Sequence, residues 1–90
     1  MQEQLPFSFD ETHLSEVTAR DLVLYNDDVN TFDHVIDSLV EVCQHTFEQA
    51  EQCAMITHIK GKCQIKSGDE DYLLSLKNEL LSKHLTVKVE

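Results

Sequence analysis

Basic residues are scarce in this sequence. Seven lysines and arginines stand against seventeen aspartates and glutamates, which gives a formal net charge of −10. This charge repels phosphate backbones and anionic lipid headgroups, so nucleic acid and membrane surfaces are poor partners. A positively charged group is the better candidate ligand, although acidity alone is also typical of a surface that only needs to be soluble.

Long apolar runs are also missing. No stretch approaches the roughly 20 apolar residues of a membrane-spanning helix, and Met1-Gln2-Glu3-Gln4 has neither the basic nor the apolar region of a secretory signal. We therefore expect a cytoplasmic protein. Ninety residues, 41% of them hydrophobic, suit one small domain with a modest core, and we expect a monomer.

The sequence has three cysteines, Cys43, Cys53 and Cys63, whose number and spacing fit neither a disulfide framework nor a zinc site. Their odd number argues against a closed set of disulfides, and their spacing lacks the short pairs of a zinc site. Cys43 and His45 lie two positions apart in a helical pattern, where side chains diverge. We expect free cysteines packed as small hydrophobes, with no metal and no cofactor.

The order of the elements follows from the spacing of the apolar residues. Residues 1–20 sustain no period and are predicted to be a flexible tail, whereas 21–90 form the domain. Leu22 to Tyr25 is a short strand that is apolar on both faces, as suits the centre of a sheet. A helix is predicted from about Thr31 to Gln44, with Asn30 as its N-cap.

A second helix follows almost at once. Thr46 and Gln49 have capping-box spacing, Gly61 is the expected stop, and one helix face carries Phe47, Ala50, Ala54 and Thr57. The remaining pattern predicts a strand over 62–66, a helix that begins near Asp69, and a closing strand over 85–90. The fold class is therefore α+β in the order β-α-α-β-α-β. We expect a three-stranded antiparallel sheet with three helices on one face.

Asn26-Asp27-Asp28 ends the first strand and invites several interpretations. Paired acids can serve phosphoryl transfer, but that chemistry needs a doubly wound parallel sheet, which six elements cannot build. Carboxylate and amide oxygens are also acceptors for a protonated amine. Phe32 and Val35 could wall an apolar pocket beside them, and His58 stands on an otherwise apolar segment. On its own such a tripeptide is more often a plain turn.

Several segments, in order and spacing, resemble the ClpS family of bacterial adaptor proteins. These are Leu24-Tyr25-Asn26-Asp27-Asp28, Phe32-Asp33-His34-Val35-Ile36, Ala50-Glu51-Gln52-Cys53-Ala54 and His58-Ile59-Lys60-Gly61-Lys62. The resemblance covers about residues 21–90. It implies a non-enzymatic adaptor that binds free N-termini beginning with Leu, Phe, Tyr or Trp (N-degrons). Such an adaptor delivers its cargo to the AAA+ unfoldase of the Clp protease, and residues 1–20 would act in that delivery.

The resemblance also implies residue roles. It assigns Asn26, Asp27 and His58 to the α-amino group, directly or through water. The hydrophobic pocket and the backbone contacts would come from a second set: Asp28, Asn30, Thr31, Phe32, Val35, Ala54, Thr57 and Leu85.

The sequence departs from the family pattern in three places. Asn30-Thr31-Phe32 stands where members often have Thr-Pro-Met, Ala54 replaces a large pocket residue, and Thr57 replaces a common Val. Ala54 could compensate in volume for Phe32, which leaves the order of Leu against the aromatic first residues open. The alternative function is a protein-interaction domain of the same topology, like the C-terminal domain of the ribosomal stalk protein, which binds folded factors.

Overall fold

The computed structural model describes residues 19–90, so most of the tail predicted over 1–20 lies outside the described residues. The elements follow the predicted order β-α-α-β-α-β. They are β1 (Arg20–Tyr25), α1 (Phe32–Cys43), α2 (Phe47–Lys60), β2 (Lys62–Gly68), α3 (Glu70–Ser82) and β3 (Thr86–Val89). No helix among these residues has both the length and the apolar character needed to cross a bilayer.

The sheet has the order β2-β1-β3, and β1 pairs antiparallel with both neighbours. Leu24 lies opposite Cys63 on one side and Val87 on the other, so β1 is central. The predicted α+β class and antiparallel sheet are confirmed. Strand β1 begins at Arg20 rather than Leu22, because Arg20 pairs with Gly68 at the far end of a longer β2.

The core lies on the sheet face that the helices cover. Leu22 and Leu24 of β1 are almost fully buried, as are Leu39 of α1 and Leu73 and Leu80 of α3. Burying one leucine side chain contributes about 1.5–3 kcal/mol, so these contacts are the main stabilising term of so small a domain. The sheet therefore has a fixed position under all three helices.

The other face of the sheet is polar. Asp21 Oδ1 accepts hydrogen bonds from Gln64 Nε2 (3.1 Å) and Ser67 Oγ (3.0 Å). Lys88 Nζ lies 5.2 Å from the centre of the Tyr25 ring, within cation–π range. Long polar side chains can thus cover this face without a second layer of helices.

Helix α1 begins one residue later than the sequence suggests. Thr31 is its N-cap, and its Oγ1 accepts from the His34 backbone N–H at 3.1 Å. The prediction of Asn30 as N-cap is wrong because the Asn30 side chain is engaged elsewhere, with Asp27 and with the His84 carbonyl. Both residues cap helices well, and tertiary contacts decide between them.

Helix α2 has the predicted capping box. Thr46 Oγ1 accepts from the Gln49 N–H at 3.1 Å, and the Thr46 N–H donates to Gln49 Oε1 at 2.9 Å. Gly61 ends the helix with φ +94°, a left-handed conformation that suits glycine. The Gly61 carbonyl then accepts from the Asn26 N–H at 2.9 Å, which places the end of α2 beside the end of β1.

Phe47 does not share the buried face of α2. Ala50, Ala54 and Thr57 are buried as predicted, but Phe47 is 58% exposed. It is the first residue of the helix, so its side chain lies beyond the part of α2 that packs on the core.

The three cysteines are free thiols in the structure. Cys43 is buried in the core, and burial raises its pKa to about 11. Burial, together with the neighbouring Cys63, raises the pKa of Cys53 to about 12. Both groups are therefore protonated at neutral pH and pack as small apolar residues.

Candidate functional site

A cavity of about 550 Å³ opens where β1 ends, between the start of α1 and the end of α2. Most of the residues predicted for the site line this cavity. Its lining residues are Leu24, Tyr25, Asn26, Asp27, Asn30, Phe32, Val35, Ala54, Met55, Thr57, His58 and Leu85. Its volume is in the range of pockets that hold small ligands.

The apolar wall of this cavity comes from two helices, the central strand and the residue just before β3. Phe32 and Val35 lie on successive turns of α1, Ala54 comes from α2, and Leu24 and Leu85 from the sheet side. Ala54 is buried and small, whereas Phe32 is 38% exposed at the mouth. This wall of the cavity is therefore suited to an apolar side chain.

Thr57 behaves as an apolar residue at this wall. Its hydroxyl donates to the Cys53 carbonyl at 2.7 Å, one turn earlier in α2. The residue is 95% buried, and this hydrogen bond satisfies its hydroxyl donor. Thr57 therefore presents little polarity to a ligand.

Four polar residues line the same cavity: Asn26, Asp27, Asn30 and His58. The side chains of Asn26 and His58 make no hydrogen bond to any other residue between 19 and 90. Asn26 follows β1 directly, and its backbone is held by Gly61. His58 is an exposed residue near the end of α2. Both side chains are available to a ligand.

Asp27, in contrast, is fully engaged. Its Oδ1 accepts from the backbone N–H groups of Val29 and Asn30, each at 2.9 Å. Its Oδ2 accepts from Asn30 Nδ2 at 2.9 Å and from Thr86 Oγ1 at 3.0 Å. Partial burial raises the pKa of Asp27, but these hydrogen bonds outweigh that effect and hold the pKa below its ordinary value.

The loop between β1 and α1 is tied to the chain that leads into β3. Asn30 Nδ2 donates to the His84 carbonyl at 2.8 Å, and His34 Nε2 lies 2.8 Å from the Lys83 carbonyl. His84 has φ +71°, so its backbone conformation is unusual for a residue with a side chain. These contacts set Leu85 against the loop and shape one side of the cavity.

Most of the residues predicted for the site come together in this cavity. Asp28 and Thr31 do not line it: Asp28 is exposed, and Thr31 caps α1. Their predicted roles in ligand contacts stay predictions. Leu24, Tyr25 and Met55 line the cavity but were not predicted. Tyr25 and Met55 adjoin predicted residues in sequence, and Leu24 lies two positions before Asn26, which was the one available signal.

The arrangement suits recognition of an amine that carries an apolar side chain. Acceptors stand beside an apolar cavity, and carboxylate and amide oxygens pair well with a protonated amine. Among residues 19–90, no group of three or more His, Cys, Asp or Glu side chains could hold a metal ion.

Comparison with known proteins assigns the family. A family model described as ATP-dependent Clp protease adaptor protein ClpS matches residues 16–88. The chain therefore belongs to the ClpS family, and the resemblance seen in the sequence is confirmed.

Curated relatives agree over a shorter stretch. The ATP-dependent Clp protease adapter proteins ClpS of Campylobacter jejuni subsp. jejuni (strain 81-176) and subsp. doylei (strain 269.97) are each 35% identical over 54 residues. The match covers 60% of this chain and 56% of each relative. The chain thus spans little more than half the length of these relatives.

A solved structure shares the fold. Agrobacterium tumefaciens ClpS2, in a complex with L-phenylalaninamide, superposes with a TM-score of 0.74 and 20% identity. The match covers 81% of this chain and 95% of that structure. At this identity the similarity establishes the common fold.

Proposed function

We propose that this protein is a non-enzymatic adaptor that captures polypeptides through a free N-terminus beginning with Leu, Phe, Tyr or Trp. It would then deliver them to the AAA+ unfoldase of the Clp protease. Membership of the ClpS adaptor family supports the delivery step. The structure contributes the cavity in which capture would occur.

The observation that carries the proposal is the meeting of two chemistries in one cavity. An apolar wall formed by residues such as Phe32, Val35 and Ala54 faces a polar group that includes Asn26 and His58. A first residue that is bulky and apolar would fill the wall side. Its α-ammonium group would meet the acceptors, and an internal peptide segment has no such group.

The expected affinity is moderate. Burial of a Leu or Phe side chain contributes about 1.5–3 kcal/mol, and each hydrogen bond to a charged amine about 1.5–3 kcal/mol. Immobilising the peptide opposes these terms. The balance suits capture at roughly micromolar concentration, which allows the cargo to be released to the unfoldase.

The ligand of the structural neighbour supports the proposal that this cavity binds a free amine with an apolar side chain. L-Phenylalaninamide carries a free amine and an aromatic side chain, and it is bound by Agrobacterium tumefaciens ClpS2. A ligand of the same chemistry is the natural first probe for this cavity.

The test is fluorescence anisotropy with labelled peptides that differ only at the first residue. We expect peptides beginning with Leu, Phe, Tyr or Trp to bind and those beginning with Ser or Glu to bind at least about tenfold more weakly, because they bury no large apolar group. N-acetylation of the Phe peptide should abolish binding, because it removes the positive charge. Equal binding of the acetylated and free peptides would refute the proposal.

A positive result also separates this function from the alternative. An interaction domain similar to that of the ribosomal stalk would retain folded factors in a pull-down and show no response to N-terminal peptides. Retention of folded factors without any binding of N-terminal peptides would therefore favour the alternative function.

A further inference from the structure

The hydrogen bonds of Asp27 leave it little capacity for a ligand. A carboxylate offers about four lone-pair sites. Two backbone N–H groups occupy Oδ1, while Asn30 Nδ2 and Thr86 Oγ1 occupy Oδ2. All four donors belong to the loop after β1 or to β3. An amine that bound Asp27 directly would have to displace one of them.

Asn30 has the opposite arrangement. Its amide has two N–H hydrogens, and both have partners: the Asp27 carboxylate and the His84 carbonyl. The reverse orientation would bring Asn30 Oδ1 against two acceptors, so these contacts determine which amide atom is which. Oδ1 accepts from no other residue between 19 and 90, and Asn30 lines the cavity.

We propose that Asn30 Oδ1 is a direct acceptor for the α-ammonium group of the ligand, and that Asp27 is the positioning residue that orients Asn30. This inference rests on the proposed function and deepens it, because it names the atoms that read the free amine. The direct acceptors are then the side chains of Asn26, Asn30 and His58. Asp27 orients Asn30 through the hydrogen bonds between them, and its negative charge favours the ammonium group without direct contact.

Thr86 distinguishes this arrangement from direct binding by Asp27. Its hydroxyl occupies a lone pair of Asp27 Oδ2, and Thr86 does not line the cavity. If Asp27 binds the amine itself, removing the hydroxyl frees an acceptor, and affinity should stay the same or increase. If Asp27 positions Asn30, removing the hydroxyl loosens Asp27, and affinity should fall.

The experiment compares Thr86→Val with Thr86→Ser by fluorescence anisotropy. One probe is a peptide beginning with Phe and a free amine, and the other is its desamino analogue, which begins with 3-phenylpropionyl. We expect Thr86→Val to weaken capture of the free-amine peptide about three- to tenfold, as loss of one hydrogen bond to a charged group would do. Thr86→Ser keeps the hydroxyl and should restore the affinity to within about twofold.

The desamino analogue separates positioning from a general loss of structure. It fills the apolar wall but makes no amine contact, so its weak binding should be the same in wild type and Thr86→Val. Equal weakening of both peptides would overturn the proposal, because it would show that Thr86 only maintains the cavity.

Ser67→Ala is the matched control. Ser67 Oγ donates to Asp21 Oδ1 at 3.0 Å, a bond of the same kind at the opposite end of β1. We expect both peptides to bind this variant as they bind wild type. Weakening by Ser67→Ala as large as that by Thr86→Val would overturn the proposal, because the effect would then not be specific to the loop.

A double-mutant cycle tests the part played by Asn30. If Thr86 acts through Asp27 on Asn30, the pair Asn30→Ala with Thr86→Val should bind the free-amine peptide no more weakly than Asn30→Ala alone. Additive losses would overturn the proposal. A wild-type protein that binds neither Phe nor Leu peptides would overturn the proposed function, and this inference with it. A wild type that binds but is unaffected or strengthened by Thr86→Val would overturn this inference alone.

Discussion

Asp27 is predicted from the sequence to bind a ligand, but in the structure its carboxylate binds other residues of the protein. The family resemblance assigns Asp27 to the α-amino group of a ligand, directly or through water. In the structure, Asp27 instead joins Val29, Asn30 and Thr86. Its carboxylate thereby holds together two segments that are almost sixty residues apart in the chain.

The lowered pKa of Asp27 leads to a prediction about stability and pH. A carboxyl group whose pKa is lower in the folded than in the unfolded state stabilises the fold above its unfolded pKa. That contribution is lost as the pH falls from the unfolded value, about 3.9, through the folded one. We expect Asp27→Asn to reduce the free energy of unfolding by about 1 kcal/mol at pH 7, a modest amount because Asp27 is partly exposed.

Urea unfolding of both proteins between about pH 2 and pH 7 would measure this difference. It should be constant above about pH 5 and shrink below about pH 4. Asp37→Asn is the control, since it removes the same charge from an exposed position on α1. If the difference for Asp27→Asn persisted unchanged at the lowest pH, the carboxylate would not be the stabilising group.

At the scale of the element, α2 is the part of the fold that gives the cavity its depth. Its last turns contribute Ala54, Met55, Thr57 and His58 to the lining. One helix therefore supplies both apolar and polar side chains of the cavity. The capping box at Thr46 and the left-handed Gly61 define where this helix begins and ends. Its position along the sheet therefore decides which side chains reach the cavity.

Ala54→Met is the variant that tests this role of α2. A methionine would occupy part of the space that the small Ala54 leaves, so large first residues should lose the most. We expect affinity for Trp and Phe peptides to fall at least about fivefold relative to Leu, the equivalent of roughly one buried methylene or more. Competition anisotropy with the four peptides would measure the order.

Gln52→Met is the control, because it adds the same side chain to an exposed position of α2 outside the cavity. Unchanged preferences in Ala54→Met would sink the hypothesis that Ala54 compensates in volume for Phe32.

At the scale of the whole molecule, we propose that capture and delivery belong to different parts of the chain. The cavity is built entirely from residues between 24 and 85. Strand β1 begins at Arg20, so a truncation that respects the sheet removes residues 1–18. We expect this truncation to leave peptide affinity within about twofold and to impair degradation of an N-degron substrate by the unfoldase and its peptidase.

A Gly-Ser segment of the same length in place of residues 1–18 is the matched control for this experiment. If length alone matters, the replacement should restore degradation; if composition matters, it should not. Loss of peptide binding in the truncated protein would show that the tail takes part in recognition. Undiminished degradation would remove it from delivery.

Local patterns were sufficient for much of the fold. The alternation in β3, the capping box of α2 and the two-sided apolarity of β1 each reflect interactions within a few residues, and all appear in the structure. Phe47 and the start of α1 were predicted wrongly. Helical spacing does not show how far a neighbouring core extends, and either Asn30 or Thr31 is a good cap by local chemistry alone.

The sequence by itself determined the α+β class, the order of the elements, and the residue types available for binding. These follow from periodicity, caps and composition, which are properties of neighbouring residues. Only the tertiary structure decided which acceptors remain available to a ligand. Asn26, Asp27 and Asn30 all offer acceptor oxygens in the sequence. Thr86 completes the hydrogen bonding of Asp27, and the His84 carbonyl orients Asn30. Hydrogen bonds between distant segments depend on how the whole sheet is assembled, and no local pattern contains that information.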